Sequence, residues 1–290
     1  SVQGGSLLWA LNLPFVFGPV GGGQTAPPIA RRYFGAEWRA EHLRTRLTRL
    51  IAVSPLHRVM ARRAAVVCAT NNQTARLMKR LGAARVEMML DSGLPEVLVA
   101  GQVPGRSGDT LKVLWVGRLL KRKALRLALE SVAALNVPVH LTVVGDGPDA
   151  ALLGGWIDEL GLHGKVSAVG RIPWLDVMQL YREQDIFLFT SMRDSFGSQL
   201  LEAAAQGLPI VCLDHQGAGD FLPDDATFKV PLRTEATLAT DVAAALERFA
   251  GLDAGARELM GQSALAFAEN HTWTAKVKGY LQFYQEVRVP

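Results

Sequence analysis

The sequence predicts an α/β fold: two Rossmann-like domains with parallel sheets, the amino-terminal one incomplete. Three observations carry that expectation. After residue 110, short Val/Leu/Ile-rich runs alternate with segments of helical period, as in a parallel sheet covered on both faces. GQVPGRSGDT at 101–110 is rich in Gly, Pro, Ser and Asp, lacks periodicity and reads as an interdomain linker. Before it only about three strand candidates occur, roughly half of what a doubly wound domain carries.

In chain order, the first region offers PFVFG, AAVVCAT and VEMML as strands. Between the first two lies 37–63, EWRAEHLRTRLTRLIAVSPLHRVMARR. It places Leu43, Leu47, Leu50 and Ile51 at helical spacing, interleaved with Arg44, Arg46 and Arg49. The expectation is a helix with its leucines on the core and a solvated basic face; an anionic membrane surface is the alternative. Strands then follow at 111–116, 139–144, 165–169, 185–189 and 209–213, with helices at 123–135, 149–161, 174–184 and 198–206. Beyond residue 230 the pattern is helical at 234–250, 254–269 and 274–287. The expected units are 1–105, a partial Rossmann-like domain, 106–273, a complete one, and 274–290, a helix packing back toward the first. A sheet lacking its first strands exposes an edge, and the chain starts at Ser1, so a fragment is expected.

Hydrophobic residues at 49% and charged residues at 20% fit a globular chain and exclude disorder or coiled coil. The net charge of +4 suits an anionic ligand but is too mild to argue nucleic-acid binding. Cys68 and Cys212 lie inside apolar runs and read as buried thiols in a reducing cytoplasm. No apolar run is long enough to span a bilayer.

Ligands of open parallel sheets bind at the carboxyl ends of the strands, so the loops there hold the candidate chemistry. They are GRLLKRKA with Arg118 and Lys123, GDGP at 145–148, GRIP with Arg171, TSMRDSFGSQLLE, and DHQGAGD. Together they gather cations, glycines, hydroxyls and two carboxylates on one rim, which suits an anionic, hydroxyl-rich ligand. Arg118 and Lys123 are placed to grip one diphosphate. Gly197 and Ser198 stand where a helix begins, offering free amides to an anion; Ser195 or Ser198 also suits the N-cap. Glu202 and Asp194 are placed to accept from vicinal hydroxyls.

The segment DSFGSQLLEAAAQGLPIV (194–211) resembles the E-G-F-G-x4-E-A-x-A-x-G-x-P-V-V signature of retaining GT-B glycosyltransferases, family 4 in particular. LWVGRLLKRKA, VVGDGP, the GRIP loop and HTWTAKVKGYLQFYQEV follow that family's order. The similarity is close over 111–290 and weaker upstream, at FVFGPVGGG and ATNNQTARLMKRLGA. It implies transfer of a sugar from a nucleoside-diphosphate sugar to a hydroxyl of a glycan, lipid-linked or small-molecule acceptor, with retention. Arg118 and Lys123 would hold the pyrophosphate, helped at the donor by Gly117, Arg171, Ser195 and Leu201. Asp194 would bind a hydroxyl of the transferred sugar and Glu202 the ribose. The backbone of Phe196, Gly197 and Ser198 would touch sugar and phosphate, and the chain around Ile172 the base. Arg118, Lys123 and Asp194 are the candidate catalytic residues. Asp194 stands where the family has Glu, and Ala124 where it has Gly. A cytoplasmic enzyme is implied, free or in peripheral contact with the inner face of a membrane. An epimerase of the same fold, or an inactive fragment that binds nucleotide sugar, are the rival readings.

Other signals carry less. Gly145-Asp146-Gly147-Pro148-Asp149-Ala150 matches a dinucleotide fingerprint, but no acid follows the next strand to hold a ribose. Gly21, Gly22 and Gly23 lack a following Lys-Ser/Thr and read as a turn lining the cleft. No cofactor is expected. The histidines show no metal-ligand spacing and no Asp-x-Asp occurs, so the chemistry is expected to need no metal.

Overall fold

In a computed structural model, residues 1–100, 103 and 108–287 are described. The first region comprises β1 (Val16–Val20), α1 (Arg31–Phe34), α2 (Trp38–Ile51), α3 (Pro55–Arg63), β2 (Val66–Ala69), α4 (Asn72–Arg80) and β3 (Val86–Met88). Its parallel sheet has the order β1-β2-β3 among the described residues. Most of the expected linker, 101–102 and 104–107, lies outside the described residues.

The second region runs β4 (Leu111–Val116), α5 (Leu125–Ala133), β5 (Val139–Val144), α6 (Ala150–Glu159), β6 (Val166–Gly170), α7 (Trp174–Arg182) and β7 (Ile186–Phe189). It continues with α8 (Ser198–Ala205), β8 (Ile210–Leu213), α9 (Gln216–Phe221), β9 (Thr227–Val230), α10 (Leu238–Ala250) and α11 (Ala254–Glu269), and α12 (Trp273–Val287) follows. The sheet order is β6-β5-β4-β7-β8-β9, with every pair parallel. Strand alternation divides the core: Val113 and Trp115 face a layer with Leu127, while Leu114 faces one with Phe187 and Phe189.

Two elements differ from the sequence expectation. TFKV forms β9, whose partly buried Lys229 pairs with Asp224 at 2.7 Å and is tolerated because the strand lies at the sheet edge. DHQGAGD, expected as a loop after the 209–213 strand, instead enters the six-residue α9, QGAGDF.

The orientation of α2 overturns another expectation. Its buried residues are Glu41, Thr45, Thr48 and Ile51, while Leu43, Leu47 and Leu50 are more than half exposed. The inward face is polar because it meets loops rather than core: Arg44 donates twice to the Gln24 carbonyl, at 3.1 and 2.8 Å, and Gln3 donates to Thr48.

The two sheets are joined by many contacts. Ala30, Tyr33 and Phe34 pack into the second core, and Arg32 and Tyr33 donate to Glu130 at 2.6 and 3.2 Å. Near the other end, Lys276 of α12 donates to the carbonyls of Leu90 and Ser92, and Arg85 pairs with Glu286 at 2.6 Å. No helix among the described residues is long and apolar enough to cross a membrane.

Candidate functional site

The strand order reverses between β4 and β7, so the connections leaving these neighbours go to opposite faces and open a crevice at their carboxyl ends. Of the predicted residues, Gly117, Arg118, Arg171, Ile172 and Glu202 line it. Beyond β4, the Gly117 amide bonds to the Val144 carbonyl, Leu119 to the Asp146 carbonyl and Asp149 to the Leu119 carbonyl, each at 3.0 Å. This contact explains the GDG sequence. A Cβ on Gly145, at φ 134°, would stand 1.9 Å from the Gly117 oxygen, and one on Gly147 2.5 Å from that of Leu119.

The joined loops form one wall of a cavity of about 520 Å³ that Gly117, Arg118, Arg171, Ile172, Trp174 and Glu202 line. Arg118 and Arg171 are exposed and have no side-chain hydrogen bond or ion pair among the described residues. Glu202, on the buried face of α8, accepts from Tyr181 Oη at 3.1 Å. Burial pushes its carboxyl above the usual range, although Tyr181, Trp174 and Ser198 offset part of the effect by hydrogen bonding.

The expected N-cap serines do not cap α8. Gly197 does, at φ 103°, with no side-chain cap, because its Cβ position is closed by the Phe189 ring at 2.8 Å. Ser198 is the first helical residue. Ser195 instead accepts from Gln24 Nε2 at 3.1 Å, across to the first region. The side chains of Phe196 and Leu201 are fully buried in the core, so only their backbones are available to a ligand.

Lys123 and Asp194 are brought together, outside the lining of that cavity. Lys123 is buried and donates to the Asp194 carboxylate, with its Nζ 5.1 Å from the Phe189 ring centroid. Arg122 approaches the same carboxylate at 3.4 Å. Burial works against the Asp194 charge, but Lys123 and Arg122 outweigh it and hold the carboxyl below the usual range. Ala124 has φ 50°, the left-handed conformation that a glycine adopts freely, so the backbone keeps that shape despite the alanine.

A second cavity, about 490 Å³, opens between the two regions and is lined by Gly21, Gly22, Gln24, Arg44, Arg193 and Ser195, among others. A Cβ on Gly21 would lie 2.7 Å from Ser195 Oγ and from Thr70 Oγ1, and one on Gly23 2.8 Å from Thr74 Cα, so this loop needs glycine for contact. Arg193 and Ser195, the chain neighbours of Asp194, line the second cavity, while Glu202 lines the first.

Sequence reasoning missed Gln24, Arg193, Trp174 and Gln216. Gln216, at φ 54°, accepts from the Asp194 amide at 2.8 Å and donates to the Thr25 carbonyl at 3.0 Å. Arg193 lies 3.0 Å from Glu41. Only their nearness to recognised motifs could have flagged them. His215 caps α9 and contacts the Ser191 carbonyl at 2.9 Å. No group of three or more His, Cys, Asp or Glu able to hold a metal occurs among the described residues.

The family model for glycosyl transferases group 1 matches residues 101–249, half of the chain. The chain belongs to that family. A D-inositol 3-phosphate glycosyltransferase of Nocardia farcinica is 30% identical over 205 residues, covering 70% of this chain and 43% of that protein. The lipopolysaccharide core biosynthesis glycosyltransferase LpsE of Rhizobium meliloti is 32% identical over 117 residues, 40% of this chain and 33% of that one. The group 1 chain thus spans less than half the length of either relative. Solved GT-B structures share its fold. Anabaena Alr3699/HepE in complex with UDP and glucose superposes with a TM-score of 0.65 at 17% identity, covering 94% of this chain and 71% of that one. The apo lipopolysaccharide outer core galactosyltransferase WaaB gives 0.64 at 18%, over 81% and 65%.

Proposed function

We propose that this group 1 chain takes a nucleoside-diphosphate sugar into the crevice at the sheet reversal and transfers the sugar to an acceptor hydroxyl, with retention and without a metal. One observation carries the reading: Arg118 and Arg171, whose guanidinium groups have no ion pair among the described residues, share a cavity with the buried acid Glu202. A diphosphate supplies the charge that answers the arginines, bidentately in the best geometry. A ribose diol donates to Glu202, and Ile172 with the exposed Trp174 indole offers the base an apolar wall. Amides at the start of α8 face the phosphates.

Charge builds on the departing diphosphate as the glycosidic bond lengthens, so stabilising that charge is the main catalytic contribution. Arg118 answers it directly. Lys123 does so when phosphate oxygens compete with Asp194 for its ammonium, which frees Asp194 to accept from a hydroxyl of the sugar. Retention rests on the family resemblance. The acceptor, a glycan, a lipid-linked sugar or a small molecule, enters from the second cavity, and the site faces the cytoplasm.

Incubation with UDP-, GDP- and ADP-sugars and candidate acceptors, read by NMR of the anomeric proton, tests the reaction. The expected product keeps the donor's anomeric configuration and forms equally well in EDTA. An inverted product, turnover lost to EDTA, or conversion of the donor without acceptor would each overturn the corresponding part.

A further inference from the structure

We propose that a recess between α2 and α4 binds a small phosphorylated anion, at a site apart from both cavities of the cleft. The recess has a volume of about 240 Å³ and is lined by Arg49 of α2, Arg76 and Arg80 of α4, and Thr25, Thr48 and Gln73, among others. No Asp or Glu lines it. The three arginines are exposed, and none has a side-chain hydrogen bond or ion pair among the described residues.

The sequence keeps acids away from this place. From residue 42 to residue 86 the chain has ten Lys and Arg and no Asp or Glu. The acids at either end are engaged elsewhere, Glu41 by Arg44 and Arg193, Glu87 by Arg85. Arg76 and Arg80 stand four residues apart on one helix, a spacing at which like charges repel and weaken it. Arg49 adds a third positive charge from the other wall. Such a cluster is unfavourable alone and becomes favourable around a multiply charged anion, since each guanidinium can give a two-pronged bond to a phosphoryl group. Gln73 adds to it: its Oε1 accepts from the Thr25 amide at 2.9 Å, which leaves its Nε2 to donate to a ligand. The volume lies below the range of nucleotide- or drug-sized ligands and suits a diphosphate or a small phosphorylated metabolite. No aromatic side chain lines the recess, so the bases of a nucleic acid would have nothing to stack on.

The position has a consequence for the cleft. The 21–25 loop separates the two: Gly21, Gly22 and Gln24 line the second cavity, whereas Gly23 and Thr25 line the recess. The Thr25 carbonyl accepts from Gln216, which in turn holds the Asp194 amide. An anion bound at Gln73 and Thr25 therefore braces the loop that faces Asp194. The anion site itself does not depend on the transferase reading.

Calorimetric titration of pyrophosphate tests the site, on the chain carrying Arg118→Ala and Arg171→Ala so that the crevice at the sheet reversal does not compete. One pyrophosphate per chain is expected, raising the melting temperature more than sodium chloride of equal ionic strength does. Adding Arg76→Gln with Arg80→Gln, or separately Arg49→Gln, should weaken binding about tenfold or more. These residues are exposed and repel one another, so without anion each variant should melt at the parent's temperature or slightly above it. The same substitutions in the otherwise unaltered chain should leave nucleotide-sugar binding in place. No binding of pyrophosphate, binding that the arginine substitutions do not alter, or an effect that sodium chloride reproduces overturns the assignment. Loss of nucleotide-sugar binding in the arginine variants does so too, because these residues would then serve the donor. A chain that binds phosphatidylglycerol vesicles but not pyrophosphate also overturns it, since the phosphates would then belong to a lipid surface.

Discussion

Glu202 and Asp194 carry charge in opposite relations to folding. Burial raises the Glu202 pKa. Its carboxyl ionises near pH 4.3 in the unfolded chain, so its contribution to stability falls as pH rises from there through the higher folded value. Glu202→Gln removes the charge and keeps an acceptor for Tyr181. The melting temperature at pH 7 should rise by about 2 °C, while nucleotide-sugar affinity drops about tenfold or more. Scanning fluorimetry and calorimetry read the two effects, and a lower melting temperature with unchanged affinity would contradict the assignment. Asp194 has its folded pKa depressed. Its stabilisation is present above the unfolded value near 3.9 and is lost as pH falls through the folded one. Asp194→Asn leaves Lys123 buried without that counter-charge and should cost about 2–4 kcal/mol at pH 7. In urea melts the gap from the parent should narrow as pH falls below the unfolded carboxyl's value and through the lower folded one. None of this pairing was legible in the sequence. The motif placed both residues on the rim, but whether a lysine meets a ligand or a neighbouring carboxylate depends on rotamers that spacing does not encode.

Among the elements, the central strands were read with ease, since largely apolar runs such as LKVLWV and VHLTVV admit little else. The edge strand TFKV and the short α9 were not, because an edge relaxes the apolar requirement and two glycines mask a helix that packing holds in place. The α2 error has a different origin. Periodicity identifies the helix and its two faces but not which face turns inward, and here the inner surroundings are a polar cleft. Glycine spacing also misled in part: GDGPDA follows a strand as a dinucleotide loop does, yet its glycines serve the contact with the 117–119 loop. Gly145→Ala should accordingly cost about 3 kcal/mol or more through steric overlap and backbone strain. Chemical denaturation measures this, and a loss below about 1 kcal/mol would show that the loops separate at little cost.

Among the described residues, a six-stranded sheet with a reversal of strand order and a three-stranded partner meet across a cleft. Contacts from Gln24 to Ser195, from Asn72 to Asp220 at 2.6 and 2.7 Å, and from Gln216 to the Thr25 carbonyl tie the two sides together there. The succession of βα units made the parallel sheet readable, whereas the strand order and its reversal come from the structure alone. The contacts across the cleft come from single polar residues with no pattern of their own. The central claim is that Arg118, Arg171 and Glu202 form one diphosphate-and-ribose site. Calorimetric titration of UDP-, GDP- and ADP-sugars into the parent, Arg118→Ala and Arg171→Ala tests it most directly. One donor should bind the parent, and each variant should bind it about tenfold or more weakly with an unchanged melting temperature. Equal affinity in all three proteins, or no binding of any donor to the parent, would contradict it.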